Sequence, residues 1–122
     1  MHLVVAALAA LVISSVTAVA QAPVAPKRIP PPGFTLADAE RPALTAGAAV
    51  LRTVIDALTW EVAGDARRTA LLPDVEIFHK AVDWALRFDE FMAAKEVAYA
   101  RTLLEQGRRR AAELRAGGAP WL

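Results

Sequence analysis

The stretch from Pro73 to Phe88 constrains the fold of this 122-residue chain more than any other. At about 100° per residue, its apolar side chains fill an arc of roughly 200° around a helix. They are Val75, Ile77, Phe78, Ala81, Val82, Trp84, Ala85, Leu86 and Phe88. An arc that wide predicts a helix that is covered on two sides and is the central element of the fold. Pro73 suits the first helical position, where its missing N–H leaves no bond unmade.

A helix is also predicted from Asp38 to Val62, because apolar residues recur there at spacings of three and four. They are Leu44, Ala48, Leu51, Val54, Ile55 and Leu58. Thr35 or Asp38 can cap its start, and Gly64 is a natural stop. The stretch after it, "AGDARRTALLP", is predicted to be a loop.

A third helix is predicted from Ala93 to Ala116, with a heptad-like seam that is half small residues. The seam holds Val97, Ala100, Leu104, Gly107, Ala111 and Leu114. Gly107 costs about 1 kcal/mol relative to alanine inside a helix, which suggests close approach of another backbone. Gly117-Gly118 ends the helix. No strand pattern appears, so the predicted fold is all-α: a three-helix antiparallel module over residues 35–116, followed by an extended segment at 117–122.

The first twenty residues carry no Lys, Arg, Asp or Glu. The apolar run from Leu3 to Ile13, followed by Ala18-Val19-Ala20, is typical of a signal peptide cleaved near Gln21. This predicts export to the periplasm or beyond. An uncleaved membrane anchor is the alternative. Residues 21–34 contain five prolines and predict an extended linker.

The charge balance excludes some partner classes. The chain has 14 basic and 13 acidic residues and a net charge of +1. Such a balance argues against nucleic acid as the main partner. There is no cysteine, so an exported chain of this size must rely on core packing or on a neighbouring domain.

His79 is the one histidine after the N-terminal segment. With Glu76 it forms a Glu-x-x-His pair, a spacing used in carboxylate-bridged metal sites, but such sites need a second pair that this chain lacks. The alternative is a ladder of ion pairs, Glu76–Lys80, Lys80–Asp83 and Asp83–Arg87, with His79 at its margin. We favour the ladder, and an interface or ligand role of His79 is the alternative.

Catalytic groups are scarce in the rest of the chain. Residues 21–122 contain no Ser, Cys or Asn, so no Ser-His-Asp or Cys-His arrangement can form. One histidine without cysteine excludes the common zinc sites, and no glycine-rich phosphate loop appears. We therefore predict no catalytic residue, no cofactor, no metal and no enzymatic activity.

Two other residue groups have ordinary structural explanations. The arginines Arg101, Arg108, Arg109, Arg110 and Arg115 could form an anion-binding patch, but Glu105 and Glu113 interrupt it, which favours a solvated helix face. The aromatic residues are predicted to be core rather than a ligand cage. They are Trp60, Phe78, Trp84, Phe88, Phe91 and Tyr99.

The chain ends on "GGAPWL". A large aromatic just past a helix stop suggests the start of another folded domain, so Trp121 and Leu122 are candidate interface residues, as are His79 and Gly107. The alternative is that Trp121 packs back on its own bundle, since a buried tryptophan gains much apolar contact.

Three stretches, "IPPPG", "LLPDVEIFHKAVDWALRFDEF" and "AKEVAYARTLLEQGRRRAAELRAGGAPW", resemble the N-terminal region of exported bacterial prolyl-oligopeptidase-like α/β hydrolases. The resemblance spans residues 29–121. It implies a helical segment that precedes a hydrolase domain. The family's catalytic Ser, Asp and His belong to that later domain and match no position here. The chain would then be a truncated or stand-alone form of the leader segment.

Three functions follow as hypotheses. The first is an accessory module that packs on a hydrolase domain, in cis or in trans. The second is an independent periplasmic interaction protein that self-associates through the small-residue seam. The third is a membrane-tethered adaptor, if the N-terminal segment is not cleaved.

Overall fold

The computed structural model describes residues 33–122. Residues 1–20, predicted to be a signal peptide, and residues 21–32 of the linker lie outside the described residues. Three long helices make up the described part: α1 (Glu40–Val62), α3 (Pro73–Arg87) and α4 (Ala94–Arg115). A single turn, α2 (Ala66–Thr69), lies between the first two. The described residues contain no strand, so the prediction of an all-α, three-helix module is confirmed.

Contacts between helix ends fix the directions of the helices. Arg41, at the start of α1, donates to the Leu86 carbonyl at the end of α3. Arg110, near the end of α4, donates to the Asp74 carbonyl at the start of α3. Thus α3 runs antiparallel to both other long helices, and each of the three packs against the other two.

The core is built from one face of each long helix. All six seam residues of α4 are buried, as the heptad spacing predicts. The α1 row is buried too, except that Val54 is only partly covered. By length and composition alone α1 could also cross a membrane, but core helices share that composition. From α3 only Val75 and Val82 are fully buried. Each large apolar side chain that is fully buried in this core stabilises the module by about 1.5–3 kcal/mol.

The prediction that α3 is the central, doubly covered helix is wrong. Ile77, Trp84 and Phe88 are 54%, 48% and 59% exposed. The three long helices form a triangle, in which each helix faces two neighbours and keeps one side outward. The outward side of α3 carries the rest of the apolar arc, which is exposed because nothing within the described residues packs on it.

The start of α1 also differs from the prediction. The helix begins at Glu40, after Ala39, and neither Thr35 nor Asp38 provides a side-chain cap. Pro42 falls in the first turn, where its missing N–H does no harm. The first-turn carboxylate of Glu40 instead pairs with Arg101 of α4, so a long-range contact holds the helix start.

The segment after α1, predicted to be a loop, contains the turn α2. Asp65 caps it: its carboxylate accepts from the Arg68 backbone N–H at 3.0 Å and from Arg68 Nε at 2.8 Å. The Thr69 hydroxyl donates to the Val62 carbonyl at 2.9 Å and satisfies the end of α1. These bonds fold a stretch that has too few apolar residues to show helical periodicity.

Two helix ends share one backbone motif. Gly117 has φ of +86°, and Gly118 N–H bonds the Glu113 carbonyl at 2.9 Å, so the predicted glycine stop of α4 is confirmed. After α3, Asp89 adopts φ of +54° and Glu90 N–H bonds the Ala85 carbonyl. A non-glycine residue at this position is strained, and Asp89 is held there by its ion pair with Arg41.

Candidate functional site

His79 lies half-buried in a groove of about 510 Å³ between α1 and α3. Three arginines line the groove, and each has an acidic partner: Arg41 with Asp89, Arg52 with Asp56, and Arg87 with Asp83. Positive charge is therefore neutralised around the groove, which offers no strong anion site.

The same groove offers no nucleophile that His79 could activate. Its one hydroxyl, on Thr45, donates to the Arg41 carbonyl at 2.8 Å. Among residues 33–122 no three His, Asp or Glu side chains are grouped as metal ligands. The geometry around His79 thus provides neither a nucleophile–base pair nor a ligand cluster.

The predicted ladder on α3 is reduced to a single ion pair, Asp83–Arg87, at 2.9 Å. Lys80 pairs with neither Glu76 nor Asp83 among the ion pairs of the described residues. Its ammonium lies 4.2 Å from the ring centroid of Trp84 instead. A cation over an aromatic face competes well with an exposed ion pair, which is worth only about 0.3–0.5 kcal/mol.

Four of the five α4 arginines form ion pairs with glutamates, in agreement with a solvated helix face. Arg101 pairs with Glu40, Arg108 with Glu105, Arg109 with Glu113, and Arg115 with Glu61. Glu105 thus pairs with Arg108, three residues on, rather than with Arg109. No basic patch is left over for an anionic partner in this part of the chain.

Trp121 packs back on the bundle, which is the second of the two arrangements considered from the sequence. Its Nε1–H donates to Asp74 Oδ2 at 3.0 Å, and the ring contacts the core. The Arg110 guanidinium lies between Trp121 and Phe78, 4.7 Å and 4.9 Å from the two ring centroids. This Trp121 clasp fastens the C-terminal segment to the start of α3. Leu122 is 80% exposed.

Gly107 is buried where α4 meets its two neighbours. A Cβ at this position would lie 2.7 Å from Leu51 Cδ2 and 2.9 Å from Phe78 Cβ. The close approach expected from the sequence exists, but side chains rather than a backbone cause it. The small-residue seam is thus filled by the module's own helices, and a dimer through it would require the bundle to open.

The surroundings of Asp65 shift the pKa of its carboxyl group. The backbone N–H of Arg68 and then the Arg68 side chain stabilise the carboxylate and lower the pKa of Asp65 below its usual 3.8. The cause is helix capping, so this shift gives no sign of a catalytic acid or base.

The most distinctive surface lies on the outward side of α3. Ile77, Ala81, Trp84 and Phe88 follow each other at spacings of four, three and four, and all four are exposed. We call these four residues the apolar stripe. The Trp84 and Phe88 rings meet edge to face, with centroids 6.1 Å apart. A tryptophan and a phenylalanine that support each other in this way present a rigid apolar surface to solvent.

The stripe corrects the prediction that the aromatic residues belong to the core. Phe91 is buried and Phe78 is partly buried, whereas Trp60, Trp84, Phe88 and Tyr99 are 48% to 83% exposed. The signal was present in the sequence: an apolar arc of roughly 200° is about twice the width that a surface helix needs for its core face. The part of the apolar arc that the core does not cover is the apolar stripe.

No protein-family model, curated protein or solved structure matches the chain. The resemblance to exported hydrolases therefore remains a prediction, and the function rests on the geometry described above.

Proposed function

We propose that the chain is a non-catalytic accessory module that binds another folded protein domain through the apolar stripe of α3. The exposed stripe carries this proposal. Surfaces that bind proteins concentrate tryptophan and other aromatic residues at their centres. A helix face that contacts only water gains nothing from large apolar residues such as Ile77, Trp84 and Phe88 on one face.

The prolyl-oligopeptidase-like hydrolase domain implied by the sequence resemblance is the proposed partner. The bundle supplies a rigid support, because α3 is held by both other long helices and by the Trp121 clasp. The groove around His79 supplies no reacting groups, which agrees with a partner that carries the chemistry. Export is part of the proposal and rests on residues 1–20.

A matched pair of tryptophan substitutions tests the docking surface. Trp84→Ala removes the centre of the stripe, whereas Trp60→Ala removes a tryptophan that is 83% exposed on α1. Binding to a purified prolyl-oligopeptidase-like hydrolase domain from the same genome would be measured by calorimetry. A central tryptophan contributes about 2 kcal/mol or more, so Trp84→Ala should weaken binding about 30-fold and Trp60→Ala less than twofold. Equal effects would refute the assignment.

An activity screen tests the absence of catalysis. We expect no turnover of ester or peptidyl substrates by the purified chain. Turnover that is abolished by His79→Ala would contradict the accessory role and would make the groove around His79 an active site.

A further inference from the structure

We propose that the chain's own proline-rich segment, Gln21 to Pro32, binds the apolar stripe in the free protein and competes there with a partner domain. The inference concerns the regulation of the surface assigned under the proposed function. It requires only that the stripe binds an apolar ligand, and it stands even if the partner is not a hydrolase.

The first observation is where the segment joins the bundle. The Phe34 backbone N–H donates to the Phe91 carbonyl, which pins the chain to the turn between α3 and α4. Gly33 packs so closely there that a Cβ would collide with the carbonyl oxygens of Asp89 and Phe91. Gly33, the first described residue, therefore lies at the turn that directly follows Phe88, the last residue of the stripe.

The second observation is chemical fit. Residues 21–32 read "QAPVAPKRIPPP", with five prolines and the apolar residues Val24 and Ile29. Proline-rich segments favour a polyproline II conformation and bind surfaces lined by aromatic side chains. They lose little entropy on binding because the bound shape is already favoured. The adjacent rings of Trp84 and Phe88 are such a surface.

The third observation is reach. From Phe88 to Ile77 the stripe extends about 16 Å, at about 1.5 Å per residue along a helix. Twelve residues in a polyproline II conformation extend about 37 Å, at about 3.1 Å per residue. The segment can therefore turn at Gly33 and still cover the whole stripe.

The fourth observation is charge. If Pro32 lies near Phe88, Lys27 falls about 15 Å away, at about 3.1 Å per residue, close to the Ile77 end of the stripe. Glu76 precedes Ile77 and forms none of the ion pairs found among the described residues. In this register, binding of the segment would bring Lys27 and Arg28 near the Glu76 carboxylate. Lys80, the cation beside the stripe, is already placed over Trp84.

Quenching of Trp84 fluorescence by acrylamide tests the inference in the chain as it is recovered from cells. Trp60→Phe and Trp121→Phe leave Trp84 as the one tryptophan. Ile29→Ser, Pro30→Ser and Pro31→Ser together then remove the proposed ligand. We expect the quenching constant of Trp84 to rise about twofold with the serine substitutions. In a matched chain with Trp60 as the one tryptophan, the same substitutions should leave quenching unchanged. Circular dichroism confirms that each variant is folded.

Unchanged quenching of Trp84 at low micromolar concentration would overturn the inference. Protection that appears only at high concentration, with a doubled mass by light scattering, would overturn it in favour of a second copy of the chain. If the segment competes, the serine substitutions should also tighten partner binding several-fold, whereas loss of partner binding alone would count only against the proposed function.

Discussion

Gly107 and Leu51 should be energetically coupled, because the missing side chain of one makes room for the other. Gly107→Ala gains about 1 kcal/mol of helix propensity. The new methyl group would lie 2.7 Å from Leu51 Cδ2 in a fully buried position, and overpacking of this kind costs about 1–3 kcal/mol. We therefore expect a net loss of about 1 kcal/mol. Leu51→Ala alone, at a site with no exposed surface, should cost about 3 kcal/mol.

In the double variant the cavity left by Leu51 accepts the new methyl group, and α4 can move away from Phe78. Gly107→Ala should then stabilise by about 1 kcal/mol, which gives a coupling energy of about 2 kcal/mol. Urea unfolding followed by circular dichroism measures the free energy of unfolding of the parent chain, the two single variants and the double variant. Sucrose is added if Leu51→Ala is too unstable. Gly47→Ala is the control for coupling to Leu51, since a Cβ at position 47 would contact Leu104 and not Leu51. Additivity within about 0.5 kcal/mol at Gly107 would refute the packing argument.

Three further outcomes are expected. Phe78→Ala should cost about 2 kcal/mol in a thermal melt, because Phe78 is only partly buried, and His79→Ala less than about 1 kcal/mol; the reverse order would make His79 a structural or functional centre. Trp121→Phe should lose about 1 kcal/mol with its hydrogen bond, and unchanged stability would mean that the clasp is not formed in solution. The lowered pKa of Asp65 means that its stabilising effect is present above its usual pKa of 3.8 and is lost as pH falls through the lower folded value. The stability difference between the parent chain and Asp65→Ala should therefore shrink below pH 3.8, and a difference that grows in acid would contradict the capping role.

The seam of α4 could be predicted completely because it has one possible face. Outside the seam, Tyr99 and Leu103 are the only large apolar residues of α4, so one side of the helix alone offers a continuous apolar row to a core. The same method was wrong about α3, where periodicity identifies apolar positions but does not say how many neighbours cover them. A bundle of three long helices provides two neighbours at one side of α3 and none at the other.

A contact between distant residues explains one of the other differences. The bond from Trp121 to Asp74 joins residues 47 apart, and no local pattern encodes it. The turn α2 has a local signal in Asp65 and Arg68, three residues apart, but four helical residues are too few to show a period. Among candidate interface residues, Gly107 and Trp121 turned out to contact the module's own helices, whereas the stripe emerged from residues assigned to the core.

The two attachment points described above lie at opposite ends of α3. The upstream chain is pinned by Phe34 beside the end of α3, and the downstream chain is fastened by Trp121 at its start. The helix between them is about 22 Å long, at about 1.5 Å per residue. A pulling force applied between these points would act along the helix axes, so that the helices must slide past one another together before they separate. The bundle is thus loaded in shear. A force-extension measurement between residues 34 and 121 should therefore show one cooperative rupture.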